Sequence, residues 1–181
     1  ANLGAFTTNG ALTLNDTTGG LNVTGTVNAG TGLASITTTG GNLAVTGAGS
    51  VTGTGVTLIT TGLNDITLAG NVNGNAGNVT LTSGQAISQS AGVLNTTGTL
   101  TGSATTTASL NQSNTIANLG AFTTNGALTL NDTTGGLNVT GTVNAGAGAA
   151  SITTAGSILA LGNNNVSGTG VTLQGAGVTS T

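Results

Sequence analysis

The sixteen residues GVTLITTGLNDITLAG, Gly55 to Gly70, hold two short runs in which aliphatic side chains alternate with Thr. Val56 and Leu58 flank Thr57, and Ile66 and Leu68 flank Thr67. A period of two is the signature of a strand with one buried and one wet face. TTGLND lies between the runs and supplies the Gly, Asn and Asp that tight corners use. The same alternation returns in ALTL (11–14), LNV (21–23), SIT (35–37), LAV (43–45), NVTLT (78–82) and AIS (86–88). No stretch combines helical spacing, a cap and ten or more residues free of Gly, so the chain reads as all-β, with no helices.

Composition points to an unusual architecture. Thr (41), Gly (34) and Asn (22) fill 97 of 181 positions, and charged residues make up 2% against about 25% in ordinary globular domains. The charged side chains are Asp16, Asp65 and Asp132, and Lys, Arg, His, Glu, Cys and Pro are absent. Without cations the chain has nothing to neutralise phosphates, which argues against nucleic acid and against an anionic membrane surface as partners. No apolar run approaches the ~18 residues of a membrane span.

The sequence repeats itself over a long interval. Ala1 to Gly30 is identical to Ala117 to Gly146, an offset of 116 residues. The likeness continues to Gly40, where only Thr31, Leu33 and Thr39 give way to Ala147, Ala149 and Ala155. VTGTGVTL (51–58) then returns as VSGTGVTL (166–173). Residues 1–116 form one full unit and 117–181 begin the next, within a single continuous segment.

Within the unit the strands group in threes. The groups start near Leu3, Val27, Val51, Val72, Val93 and again Leu119, and the last of these intervals is the longest. Five coils of about 23 residues with three strands each predict a three-sided β-solenoid, a right-handed parallel β-helix. Coils stacked at ~4.8 Å pair their backbones with the coils above and below. Leu12, Leu14, Ile36, Val56, Leu58, Val79, Leu81, Leu128 and Leu130 are then expected to point inward as an aliphatic ladder. Thr13, Thr37, Thr57 and Thr80 are expected to point out. On this count the two copies of NDTTGGLNVTGTVNAG, at 15–30 and 131–146, fall on the same corner, five coils and roughly 24 Å apart.

LTGS at Leu100 to Ser103, NTIANLGAF at Asn114 to Phe122 and GGLNVTG at Gly135 to Gly141 resemble the long repeats of filamentous-haemagglutinin-type adhesins of Gram-negative bacteria. The resemblance covers essentially the whole chain. It implies a secreted, cell-surface exoprotein with a right-handed parallel β-helix shaft, exported by two-partner secretion through an outer-membrane β-barrel transporter. Matrix polysaccharide, host surface and neighbouring fibres are the contacts such a shaft would meet.

Residues that could carry chemistry are sparse. Glycoside hydrolysis needs two carboxyls about 5 to 9 Å apart, which a five-coil separation of Asp16 and Asp132 forbids. Both read as turn residues accepting backbone hydrogen bonds. Calcium wants several carboxylates, and no GGxGxDxUx nonapeptide is present. GTGVTL and GNAGNV have the glycine density of a phosphate loop, but neither is followed by Lys. The N-x-T triplets at Asn15, Asn22, Asn78, Asn131 and Asn138 follow from the Asn and Thr content. Phe6 and Phe122 sit at equivalent places beside aliphatics and suit stacked core or corner packing better than a sugar platform. The expectation is no enzyme, no cofactor and no metal.

Three functions fit such a chain. The first is a structural shaft that holds adhesive parts away from a cell, serving adhesion, aggregation or biofilm attachment. The second is a self-polymerising extracellular filament, since open solenoid ends expose unpaired strands. The third is ice binding by flat T-x-T ranks, against which the uneven places of TGT (24–26, 52–54) and TTT (37–39, 105–107) argue.

Overall fold

A computed structural model describes residues 1–180. The chain winds as a β-solenoid of about nine turns, roughly 21 residues each, whose strands all pair in parallel. Helices are absent among the described residues.

Three ladders run along the solenoid. The first begins with the five-residue strands Leu12–Asp16, Ala34–Thr38, Val56–Thr60 and Val79–Ser83. The second begins with Asn2–Leu3, Leu21–Val23, Leu43–Val45 and Ile66–Leu68. The third begins with Phe6–Thr7, Thr26–Asn28, Ser50–Thr52 and Asn71–Asn75. In-register stacking follows inward aliphatics: Ile36 sits between Leu14 and Leu58, and Leu58 between Ile36 and Leu81. Stacked strands satisfy one another's backbone groups, so each coil leans on two neighbours for both hydrogen bonds and core contacts.

Ile36, Val56, Leu58, Val79 and Leu81 are fully buried, and Leu128 and Leu130 almost so. Leu12 and Leu14, on the first coil, are half-buried and packed against the same core. Corners are tight enough to exclude side chains: a Cβ on Gly70 would lie 2.0 Å from the Gly49 carbonyl oxygen of the coil beside it. Gly135 and Gly136, at φ +87 and +81, turn the chain in the left-handed region that glycine alone enters freely.

The coils are shorter than expected, and the unit does not hold a whole number of them. Val27, Val51, Val72 and Leu94 do stack in one column. Leu3, however, stacks on Val23 rather than Val27, and Leu119 stacks on Leu100 rather than near Val93. The step from Leu100 to Leu119 is shorter than the ordinary coil, because the corners between them are cut to almost nothing. The interval from Val93 to Leu119 therefore covers more than one coil.

The consequence reaches both copies of the repeat. Five steps up the first ladder lead from Leu12 through Ala34, Val56, Val79 and Leu100 to Leu119, not to Leu128. Leu128–Asp132 stands instead on the second ladder, paired with Ala108 and Leu110. Leu137–Val139 stands on the first, with Asn138 and Val139 paired to Asn118 and Leu119. The expectation that both copies mark the same corner is corrected: they lie between five and six coils apart and on different faces.

Candidate functional site: the buried junction and the outer ranks

The exchange of faces happens inside one strand. Ala108–Thr124, seventeen residues long, pairs with the second ladder at Ile87, with Asn95 and Thr96 of the third at Thr115 and Ile116, and with Leu100 of the first at Leu119. The unit boundary, Ile116 to Ala117, falls in its middle. Above it, a five-residue strand rests on what were two short faces, since Leu128–Asp132 spans Leu110 and Asn114. The former five-residue face is divided between Leu137–Val139 and Val143–Asn144, which pair with Leu119 and Phe122. The count of faces is kept, but the broad face now stands where the two short ones were, and the two short ones stand on the former broad face.

Backbone ladders cannot survive such a change unaided, and register shifts occur between Leu110 and Asn114 and between Leu100 and Gly102. Buried side chains replace the missing bonds. Asn114, with 0% exposure, accepts at Oδ1 from the Leu94 amide (2.9 Å) and from Gln89 Nε2 (2.7 Å). Its Nδ2 is shared among Gln89 Oε1 (3.1 Å), the Leu110 carbonyl (3.0 Å) and the Asn131 carbonyl (3.1 Å). One coil up, Asp132 Oδ1 accepts from the Ile116 amide at 2.9 Å. A buried amide or carbonyl without a partner costs about 1–3 kcal/mol, so these side chains hold the junction closed.

Asp132 differs from the other side chains of this junction. It is fully buried, and its second carboxylate oxygen, Oδ2, has no hydrogen-bond partner. Burial pushes its carboxyl above the usual range, while the Ile116 and Thr133 amides pull the other way. Asp16, its counterpart, is half-buried on the first coil with the same oxygen unpartnered. Both acids, expected in the turn, are the last residues of their strands, immediately before it, and Asp132 accepts a backbone amide. The cause is parity: in LTLND the residues at 12, 14 and 16 share the inward face. Asp65 serves the stack from a corner, accepting the Ala86 amide of the next coil at 2.9 Å.

The same parity produces a polar column that alternation of aliphatics alone did not reveal. Thr38, Thr60 and Ser83 are buried at the inward ends of their strands. Their hydroxyls donate to corner carbonyls: Thr38 to Gly41 (2.8 Å), Thr60 to Asn64 (2.8 Å) and Ser83 to Ala86 (2.8 Å). Each corner is thus stitched to its own strand.

Outside, the first ladder carries hydroxyls in register. Thr13, Ser35, Thr57, Thr80 and Thr101 form one column, with Thr80 and Thr101 hydroxyls 3.1 Å apart. Asn15, Thr37, Ile59, Thr82 and Ser103 form the next. Of these five strands only the one with Thr80 and Thr82 places Thr in both columns, so the hydroxyls align as a single column and not as T-x-T ranks. Next to the junction an open notch of about 250 Å³ is lined by Thr96, Thr115, Thr134, Gly135 and Asn138, without a charged group. Among the described residues no group of three or more His, Cys, Asp or Glu could hold a metal.

Comparison with known proteins finds no matching family model, no similar curated protein and no similar solved structure.

Proposed function

We propose that this chain is a piece of the structural shaft of a large secreted bacterial surface adhesin or fibre, a spacer that carries adhesive parts away from the cell. The observation that carries the reading is the unit boundary inside the unbroken strand Ala108–Thr124. Repeated units joined this way add length without a seam, a hinge or a separate domain, as a stalk requires. The surface is hydroxyl-rich and nearly free of charged side chains, and Asp65 and Asp132 bond amides of neighbouring coils. Export through an outer-membrane transporter and contact with matrix polysaccharide or host surface belong to the same proposal and rest on the resemblance to filamentous-haemagglutinin-type repeats.

Electron microscopy of proteins with one, two and four units tests it. Each unit should lengthen a straight rod by about 26 Å, the rise of some five and a half coils at ~4.8 Å. Beaded or collapsed particles, or lengths that do not grow with unit number, would remove the shaft.

Ice binding is a second reading, favoured by the registered Thr13, Ser35, Thr57, Thr80 and Thr101 column. Thermal hysteresis of the purified chain decides it, and loss of hysteresis in Thr57→Leu would place the activity on this face.

A further inference from the structure

Asp132 lies where a charged carboxylate is least supported. The chain contains no Lys, Arg or His, so no side-chain cation can pair with it. The elements packed against it are Ala108–Thr124 below and Ala149–Thr154 above, and the residues they bring closest, Asn114, Ile116 and Thr154, do not titrate. Asp16 and Asp65 lie on coils below, and the terminal amine bonds the Gly20 carbonyl in the first coil. Oδ1 is satisfied by the Ile116 amide, whereas Oδ2 is buried and met by no donor. An isolated buried charge is costly, and such a group takes up a proton instead.

We infer that Oδ2 of Asp132 is a proton-binding site that tightens the face-exchange junction as the surroundings become acidic. The direction follows from linkage. Burial raises the carboxyl of the folded chain above the 3.8 of an ordinary Asp. The folded state then binds the proton more firmly than the unfolded state does. The stability this contributes is fully present below 3.8 and is lost as pH rises through the folded value. Acid thus strengthens this shaft, whereas native proteins held by ionised carboxylates weaken in acid. The effect belongs to the junction alone and stands whether or not the chain is an adhesin.

The test uses the whole chain. Because it has three Asp side chains, carbon-13 spectra of labelled protein can follow each carboxyl separately. One carboxyl should titrate above the ordinary Asp value, and its signal should vanish in Asp132→Asn. Urea midpoints measured from about pH 4 to about pH 8 should fall with rising pH in the wild type and in Asp65→Asn, and become flat in Asp132→Asn. If Asp132→Asn does not fold, the wild-type titration still decides. Three carboxyls titrating together in the ordinary range would overturn the inference, as would a pH dependence that survives Asp132→Asn. A calcium-dependent rise in midpoint at the alkaline end, present in the wild type and lost in Asp132→Asn, would also overturn it by assigning Oδ2 to a cation.

Discussion

Leu130 stands directly above Leu110 on the face that starts with Asn2–Leu3, whereas its sequence twin Leu14 starts the column that leads to Phe122. Identical residues in identical local sequence thus occupy different faces of one solenoid. Both faces accept them because each asks for the same thing, an inward aliphatic every second residue.

This displacement can be measured. Spin labels on Thr13→Cys and Thr101→Cys, four coils apart in one outer column, should lie about 19 Å apart between backbone positions. Labels on Thr13→Cys and Thr129→Cys, equivalent in the repeat, should lie clearly farther apart than their five to six coils of rise alone would give. Equal separations per coil for both pairs would put the two copies back on one face. The chain has no native Cys to interfere.

Core and surface positions of the first ladder should respond very differently. Leu81→Ala removes a fully buried side chain and should cost about 2–5 kcal/mol in equilibrium unfolding. Thr57→Ser, on the outer face, should stay within about 0.5 kcal/mol. Similar losses at both sites would mean that the inward and outward faces are misassigned.

The junction side chains should matter more than their number suggests. Asn114→Ala leaves the Leu94 amide and the Gln89 side chain without their buried partner, and should destabilise the chain by at least ~2 kcal/mol. Hydrogen exchange should then show Leu94 and its neighbours opening ahead of coils near Val56. Uniform loss of protection along the chain would indicate that the junction is not a distinct weak point.

Two glycines make a matched pair. Gly70→Ala would drive a methyl to 2.0 Å from the Gly49 carbonyl oxygen, and should unfold or reshape that corner. Gly47→Ala meets nothing within 4 Å and should be neutral, or stabilising by up to about 1 kcal/mol. The denaturation midpoints of the two variants check this directly.

Much of the architecture was legible in residues. Alternation in VTLIT and NVTLT gave the strand, its faces and the stacking of Val56 under Val79. Parity also placed Thr38 and Asp16 on the inward side, but counting only aliphatics hid the polar column they form. The exchange of faces left a fainter mark. Its signs were the long interval from Val93 to Leu119 and the bulge Asn111, Gln112 and Ser113 that delivers Asn114 to the core. Sequence identity pulled the other way, because equal letters suggest equal places. Which column a strand joins is fixed by the length of the corners before it, a sum over many short turns that no local pattern reports.

A solenoid with one broad and two narrow sides is a beam that flexes more easily in some directions than in others. The half-coil remainder puts the broad side of the second copy over the two narrow sides of the first, and the narrow sides of the second over the broad side of the first. A repeat of five whole coils would have kept like sides in line; this one makes each kind of side carry the other.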